Sequence, residues 1–322
     1  MNQQSPTSLQ KGIWIASYPK SGNTWVRVFI HNLLREIRGK KNDSQDINRL
    51  SRHTVWEIDA APYEQLLGKP VVECTAEEIA RTRPQVQQLL SEARSRPFFI
   101  KTHLGVARIR GFPTINLEMT LAAVYIVRNP LDVAISYAHH GNREVDHVIE
   151  QMADPALQIF GPDEHFYEFV GSWSGHVAGW LSISRRPVHL VRYEDMLRAP
   201  VRIFGGLARF LRLNPTPEQL QRAIDKSSFA ELSRQEQQNS FAEKPPGAEK
   251  FFRVGKADQW RDVLTREQVR RVVEAHAPMM QRTGYLIPDC GGDVRPASRS
   301  TSAAQGTLAM TRRNAPSVAV DG

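Results

Sequence analysis

Apolar residues along this chain follow two different periods. Four short runs, Ile13 to Ser17, Phe98 to Lys101, Val124 to Arg128 and Val188 to Tyr193, are nearly continuous and bounded by Pro, Gly or polar residues. Such runs are expected of strands buried on both faces. Directly after the first, Val26, Phe29, Ile30, Leu33, Leu34 and Ile37 recur at three- and four-residue steps and predict a helix. Pro130 reads as the first turn of another helix, Phe229 sits in a helical pattern, and a further helix is expected near Thr265. Strands alternating with helices predict an α/β fold: one domain, with a central, mostly parallel sheet flanked by helices on both faces.

Other stretches break the pattern. Lys40 to Pro70 is polar and mixed, and Gly141 to Trp173 carries Phe160, Phe166, Tyr167 and Phe169 among charges, so both read as insertions facing a substrate. Phe160, Phe166, Phe169 and Trp173 suit a pocket for an aromatic or lipidic alcohol, and core packing accounts for them equally. Gln235 to Gly255, with Pro245, Pro246 and Gly247, predicts an extended loop. The expected organisation is a flexible N-terminus over 1–11, a folded domain over 12–289, and a Ser-, Ala-, Pro- and Gly-rich tail over 290–322 that is expected to be disordered.

Composition narrows the partners. The chain has 322 residues, 41% hydrophobic, with 42 Lys and Arg against 34 Asp and Glu. A net charge of +8 favours anionic ligands: nucleotides, acidic substrates, nucleic acid or anionic membrane. The longest apolar run, Leu121 to Val127, is far below the ~20 residues of a membrane span. The first residues lack the apolar core of a secretory signal, and Cys74 and Cys290 fit neither a disulfide framework nor a zinc motif, so a cytoplasmic location is expected.

Chemistry gathers where the predicted strands stop. The first strand runs into Tyr18-Pro-Lys-Ser-Gly-Asn-Thr-Trp25, a small-residue turn carrying Lys20 ahead of a helix, which is a P-loop-like layout for an anion cradle. A Walker loop would place Lys after its last Gly and before Ser or Thr, whereas here Lys20 precedes Gly22. The second strand ends in Lys101-Thr-His103, and a histidine at a strand end can accept a proton at neutral pH. The third ends in Arg128-Asn-Pro-Leu-Asp132, with Ser136 two turns on; Arg128 offers a fork suited to phosphate, or a surface partner for Asp132. Ligands of open α/β sheets bind beyond the strands' carboxyl ends, so these segments can meet in space. His139, His140 and His147 show no metal-ligand spacing and read as surface or acceptor-side residues.

Together these segments resemble the sulfotransferases that use 3′-phosphoadenosine 5′-phosphosulfate (PAPS). Tyr18 to Trp25 is similar to that family's 5′-phosphosulfate loop, YPKSGTTW, with Asn23 where Thr is common. Arg128 to Ser136 is similar to its 3′-phosphate motif, RxPxDxxxS, and Lys101-Thr-His103 to the segment with its catalytic histidine. The resemblance implies that Lys20, Ser21, Gly22, Asn23 and Thr24 hold the 5′-phosphosulfate, that Trp25 lies against adenine, and that Arg128 and Ser136 bind the 3′-phosphate. It also implies adenine-side roles for Tyr193 and for Ser227 and Phe229 of Ser227-Ser-Phe229. Arg253 and Gly255 match the late loop RKGxxGDW, but Val254 replaces Lys and Asp258-Gln259 stand for Gly-Asp. The family's dimer motif is mostly absent near Arg261 to Arg270, so oligomeric state does not carry over.

The implied activity is transfer of a sulfuryl group from PAPS to the hydroxyl of a small-molecule acceptor, without metal, leaving 3′-phosphoadenosine 5′-phosphate (PAP). His103 would remove the acceptor proton, Lys20 would stabilise the bridging oxygen and Lys101 the sulfuryl oxygens. A P-loop kinase or nucleotidase would need a hydroxyl after Lys for magnesium. A nucleic-acid binder would explain the charge, but no basic stripe with interleaved aromatics is present, so no nucleic acid is expected. An inactive nucleotide-binding homologue is the third alternative.

Overall fold

The computed structural model describes residues 11–39, 46–94, 97–160, 167–244 and 249–286. Within them the strands are β1 (Gly12–Ser17), β2 (Thr54–Trp56), β3 (Phe98–Thr102), the short pair β4 (Arg108–Ile109) and β5 (Phe112–Pro113), β6 (Thr120–Val127), the pair β7 (Gln158–Phe160) and β8 (Tyr167–Phe169), and β9 (Val188–Arg192). Five of them form one sheet in the order β2-β3-β1-β6-β9, every pairing parallel. The four apolar runs of the sequence are thus neighbouring strands, and the α/β expectation is met. The edge strand β2 was not foreseen: it has three residues, and Trp56 on it is exposed.

Each β1 residue is buried because both faces of the sheet are covered. Ile13 and Ile15 pack toward one core, with α1 (Asn23–Ile37) and the helices Pro200–Phe210 and Pro217–Asp225. Trp14 and Ala16, pointing oppositely as strand neighbours must, pack toward the other, with the helices Pro130–Gly141, Val145–Ala153, Trp173–Leu181 and Arg266–Thr283. Thr265 caps the last of these through a capping box with Gln268.

The structure decides the aromatic residues of the second insertion. Trp173 is fully buried in the core and Phe169 packs against it, whereas Phe160 is exposed. Phe166 lies outside the described residues, as do Cys290, the tail and residues 1–10. The loop expected from Gln235 begins later, because the helix Phe229–Asn239 continues through it. Its polar residues are structural: Gln235 Oε1 accepts from Ile47 N, and Glu236 accepts from the amides of Phe251 and Phe252. No helix among the described residues is long and apolar enough to cross a membrane.

Candidate active site

Because β3, β1 and β6 are adjacent, their carboxyl ends lie side by side; Ala16 pairs with Thr102, and Ser17 with Ile126. The turn after β1 is set by backbone conformation. Lys20 has φ 65° and Gly22 φ 105°, and Gly22 caps α1 without a side-chain bond, which leaves the first helical amides to face the turn. A Cβ on Gly22 would stand 2.8 Å from the Tyr193 ring, so space as well as φ requires glycine there. Asn23 fastens the turn to the sheet: its Nδ2 donates to Ile15 O at 2.9 Å and to Ser17 Oγ at 3.4 Å. Its side chain therefore points away from the cradle, and only its backbone amide belongs to the helix start.

Lys20 Nζ donates to His140 Nδ1 at 3.0 Å and lies 4.5 Å from the centre of the Phe251 ring. Burial, then the charges of Arg128 and Lys101, lowers its pKa to about 7. His140, which the sequence left on the surface or acceptor side, is thus a direct partner of the loop lysine, and burial followed by the Lys20 charge lowers its own pKa to about 4.

At the end of β3, His103 donates from Nδ1 to Ser17 O at 2.8 Å. A carbonyl oxygen can only accept, so Nδ1 carries the proton and Nε2 keeps a free lone pair. Burial, then the Lys101 charge, drives the ring's pKa down to about 3, so it is neutral. Its backbone amide donates to Glu168 Oε1 at 3.4 Å, which ties the strand end to β8. Lys101, two residues earlier and on the same strand face, sits 3.8 Å from the centre of the Trp56 ring.

Arg128 is 5% exposed at the end of β6, and its guanidinium binds two separate loops: Nη1 donates to Lys20 O at 3.2 Å and Nη2 to Lys256 O at 3.1 Å. Its plane lies 4.3 Å from the centre of the Tyr193 ring, which in turn contacts Trp25 edge-on at 5.6 Å. No bond to Asp132 forms. That carboxylate accepts instead from the backbone of the late loop, Asp258 N at 2.7 Å and Trp260 N at 3.1 Å. Asp258, standing where the related pattern has Gly, adopts φ 62°, so the loop keeps a left-handed residue at that place. Gly255 has φ 63° and lies so close to Phe229 that a Cβ would meet the ring at 2.2 Å. Arg253 donates to Gln259 Oε1, and its pKa is lowered by burial and then by Arg128. Ser136 lies partly exposed on the helix Pro130–Gly141. Ser227 is fully buried, its hydroxyl donating to Ala223 O and accepting from Asn32, so it shapes the wall from within.

Two further residues of the site escaped the sequence reading. Arg27 is 3% exposed on α1, and it pairs with Glu243 of the loop after the helix Phe229–Asn239. Glu243 also accepts from Lys101 Nζ at 3.0 Å. Burial would raise its pKa, but the Arg27 charge and bonds, with those of Lys101, hold it at about 2.

This arrangement fits an anion with two phosphorylated ends. Lys20 feels the charges of Arg128 and Lys101, Lys101 that of Arg27, and Arg253 that of Arg128, while Ser21 Oγ, Trp25 Nε1 and Arg128 Nε are buried with no hydrogen-bond partner among the described residues. Buried polar atoms of this kind are costly unless something satisfies them. Among the described residues no group of three or more His, Cys, Asp or Glu side chains could hold a metal ion.

Comparison with known proteins agrees with this geometry. A profile of the sulfotransferase domain matches residues 10–284. Sulfotransferase 1A1 of Canis lupus familiaris is 27% identical over 275 residues, covering 84% of this chain and 83% of that protein. Flavonol 3-sulfotransferase of Flaveria bidentis is 25% identical, over 89% of this chain and 87% of that protein. In fold, the chain is similar to retinol dehydratase solved with retinol and PAP (TM-score 0.57, 20% identity, 88% of this chain and 85% of that one). It is also similar to a mouse sulfotransferase solved with PAP (TM-score 0.56, 19% identity, 85% of each chain).

Proposed function

Since the chain belongs to the sulfotransferase family and is a PAPS-dependent transferase of sulfuryl groups, we propose that it sulfonates a small-molecule hydroxyl by in-line transfer with His103 as base. The observation that carries this is the meeting of three strand ends: Arg128, just past β6, bonds the loop after β1 at Lys20 O, and His103, just past β3, bonds Ser17 O at the end of β1.

Each residue has a task its surroundings suit. The loop amides, Ser21 and Thr24 hold the 5′ end of the nucleotide, and Arg128, Ser136 and Arg253 take its 3′-phosphate. Trp25, Tyr193 and Phe229 offer aromatic faces to the adenine, with Gly255 allowing the late loop to lie on Phe229. His103 takes the acceptor proton at Nε2 while Nδ1 stays fixed on Ser17 O. A ring with a pKa of about 3 is a weak base, but its pKa is low partly because Lys101 and Arg27 stand beside it. The donor's negative charge offsets those cations and raises the ring's proton affinity when both substrates are present. The same charge keeps Lys20 protonated, as it must be to stabilise the departing bridging oxygen.

We place the acceptor beside Trp56, Phe251 and His140, aromatic groups that lie against the two site lysines. We assign it as an uncharged, partly apolar alcohol or phenol. The cytoplasmic location read from the two separated cysteines belongs to the same proposal. Purified protein incubated with radiolabelled PAPS and a cell extract, with the product identified by mass, tests activity and acceptor together. Absence of any labelled product, together with no heat on titrating PAP, would refute it.

A further inference from the structure

Glu243, which ties Arg27 to Lys101, has no task in the function proposed above. Arg27 stands in the second turn of α1, and its Nη2 donates to Thr24 Oγ1 at 3.1 Å, so the guanidinium is joined to the cradle itself. Its Nη1 and Nη2 fork onto the two oxygens of Glu243 at 2.8 and 2.7 Å, and Lys101 Nζ adds a third bond at 3.0 Å. Arg27 and Lys101 are held by a helix and a strand, at 3% and 7% exposure; Glu243 arrives on a loop. A planar fork and an ammonium, converging on two equivalent oxygens, form a donor set that suits an oxyanion with several equivalent oxygens. Lys101 stands two residues before His103 at the end of β3, so the cluster adjoins the base.

We infer that Arg27 joins Lys101 in binding the sulfuryl oxygens, and that Glu243 fills this site as the protein's own anion until the sulfonated donor displaces it. The inference rests on the donor reading proposed above. It makes Glu243 a competitor of the sulfuryl group alone: PAP, which lacks that group, binds with the carboxylate still in place, whereas PAPS must expel it. Transfer then lets Glu243 return, and the loop regains its two ionic contacts in the product state.

Titration calorimetry of the full chain with PAPS and, separately, with PAP tests this. Arg27→Gln is expected to weaken PAPS about tenfold or more while leaving PAP within about twofold, as loss of a charge-assisted contact to one ligand predicts. Glu243→Gln, which keeps the shape of the side chain and whose folding is checked by circular dichroism melting, is expected to act oppositely and tighten PAPS by about as much, with PAP unchanged. Equal shifts for both nucleotides, or weaker PAPS binding in Glu243→Gln, would overturn the assignment and leave the cluster a strut for the loop. No heat from the unmodified protein with either nucleotide would overturn the donor reading itself.

Discussion

Asp132→Asn isolates the closure of the late loop. The wild-type carboxylate is 1% exposed and accepts two backbone N–H bonds, from Asp258 at 2.7 Å and Trp260 at 3.1 Å. Asparagine keeps one acceptor oxygen but turns an NH₂ toward the second amide, so one bond to a charged group is lost and two donors face each other. Such a loss is about 1.5–3 kcal/mol. It falls on the loop that also supplies Lys256 O to Arg128, so the guanidinium loses one of its two anchors when the loop lifts. If binding of the 3′-phosphate needs the loop closed, the whole penalty appears as affinity: roughly 10–100-fold weaker PAP binding, at about 1.4 kcal/mol per tenfold. Calorimetry with PAP measures it, and circular dichroism melting confirms that the sheet remains intact. Unchanged PAP affinity in a folded variant would refute the idea that Asp132 clamps this loop for the nucleotide.

Other perturbations address the remaining groups. His103→Ala is expected to lower kcat by about 10²–10⁴-fold while PAP affinity is preserved, measured by steady-state kinetics beside calorimetry; parallel loss of both would remove the ring from the role of base. Lys20, with its pKa lowered to about 7, is mostly uncharged in the free protein at pH 8 and is recharged by an anionic ligand. PAP binding at pH 8 should therefore take up close to one proton, read from calorimetry in buffers of different ionisation enthalpy, and Lys20→Met should take up almost none. Gly255→Ala places a methyl group into the Phe229 ring at φ 63°, so PAP binding should fall by at least about tenfold while the melting temperature changes little. His176, 1% exposed with its pKa lowered by burial to about 4, binds its proton later than the unfolded chain does. Its contribution is complete above the unfolded value near 6.5 and is lost as pH falls, roughly 2 kcal/mol by pH 5, so calorimetric melting temperatures should drop between pH 7 and 5.

The frame of the fold was legible because two-sided burial leaves a strong mark. The β1 residues lie between two helical layers, and no polar residue could be tolerated in that run without a partner, so continuity of apolar residues told the strand. Tertiary contact overrode composition in the segment from Gln235 to Asn239. Gln and Glu there look solvent-seeking, yet Gln235 and Glu236 are buried and serve as acceptors for chain segments distant in sequence. Such bonds leave no period behind. The edge strand β2 was hidden for a related reason: only its pairing with β3 makes Thr54 to Trp56 a strand.

The site divides along the same line. Lys20, His103 and Arg128 could be singled out because each lies within three residues of a strand end, where the carboxyl ends of adjacent strands open on a common crevice. Arg27 sits within a helix, where a charged residue between apolar ones reads as the solvent face of the stripe. α1 has no such face along most of its length, since Asn23 and nearly every residue from Val26 to Glu36 are buried. A charge enclosed there must have a counter-charge. The sequence shows the arginine and cannot show Glu243, which reaches it across 216 positions on a loop whose composition resembles that of any other. What distinguishes this pocket from a generic phosphate cradle is therefore carried by long-range ion pairs between an invisible helix face and an ordinary loop. Motif spacing cannot encode these pairs, and substitution of Arg27 and Glu243 in opposite senses can expose them.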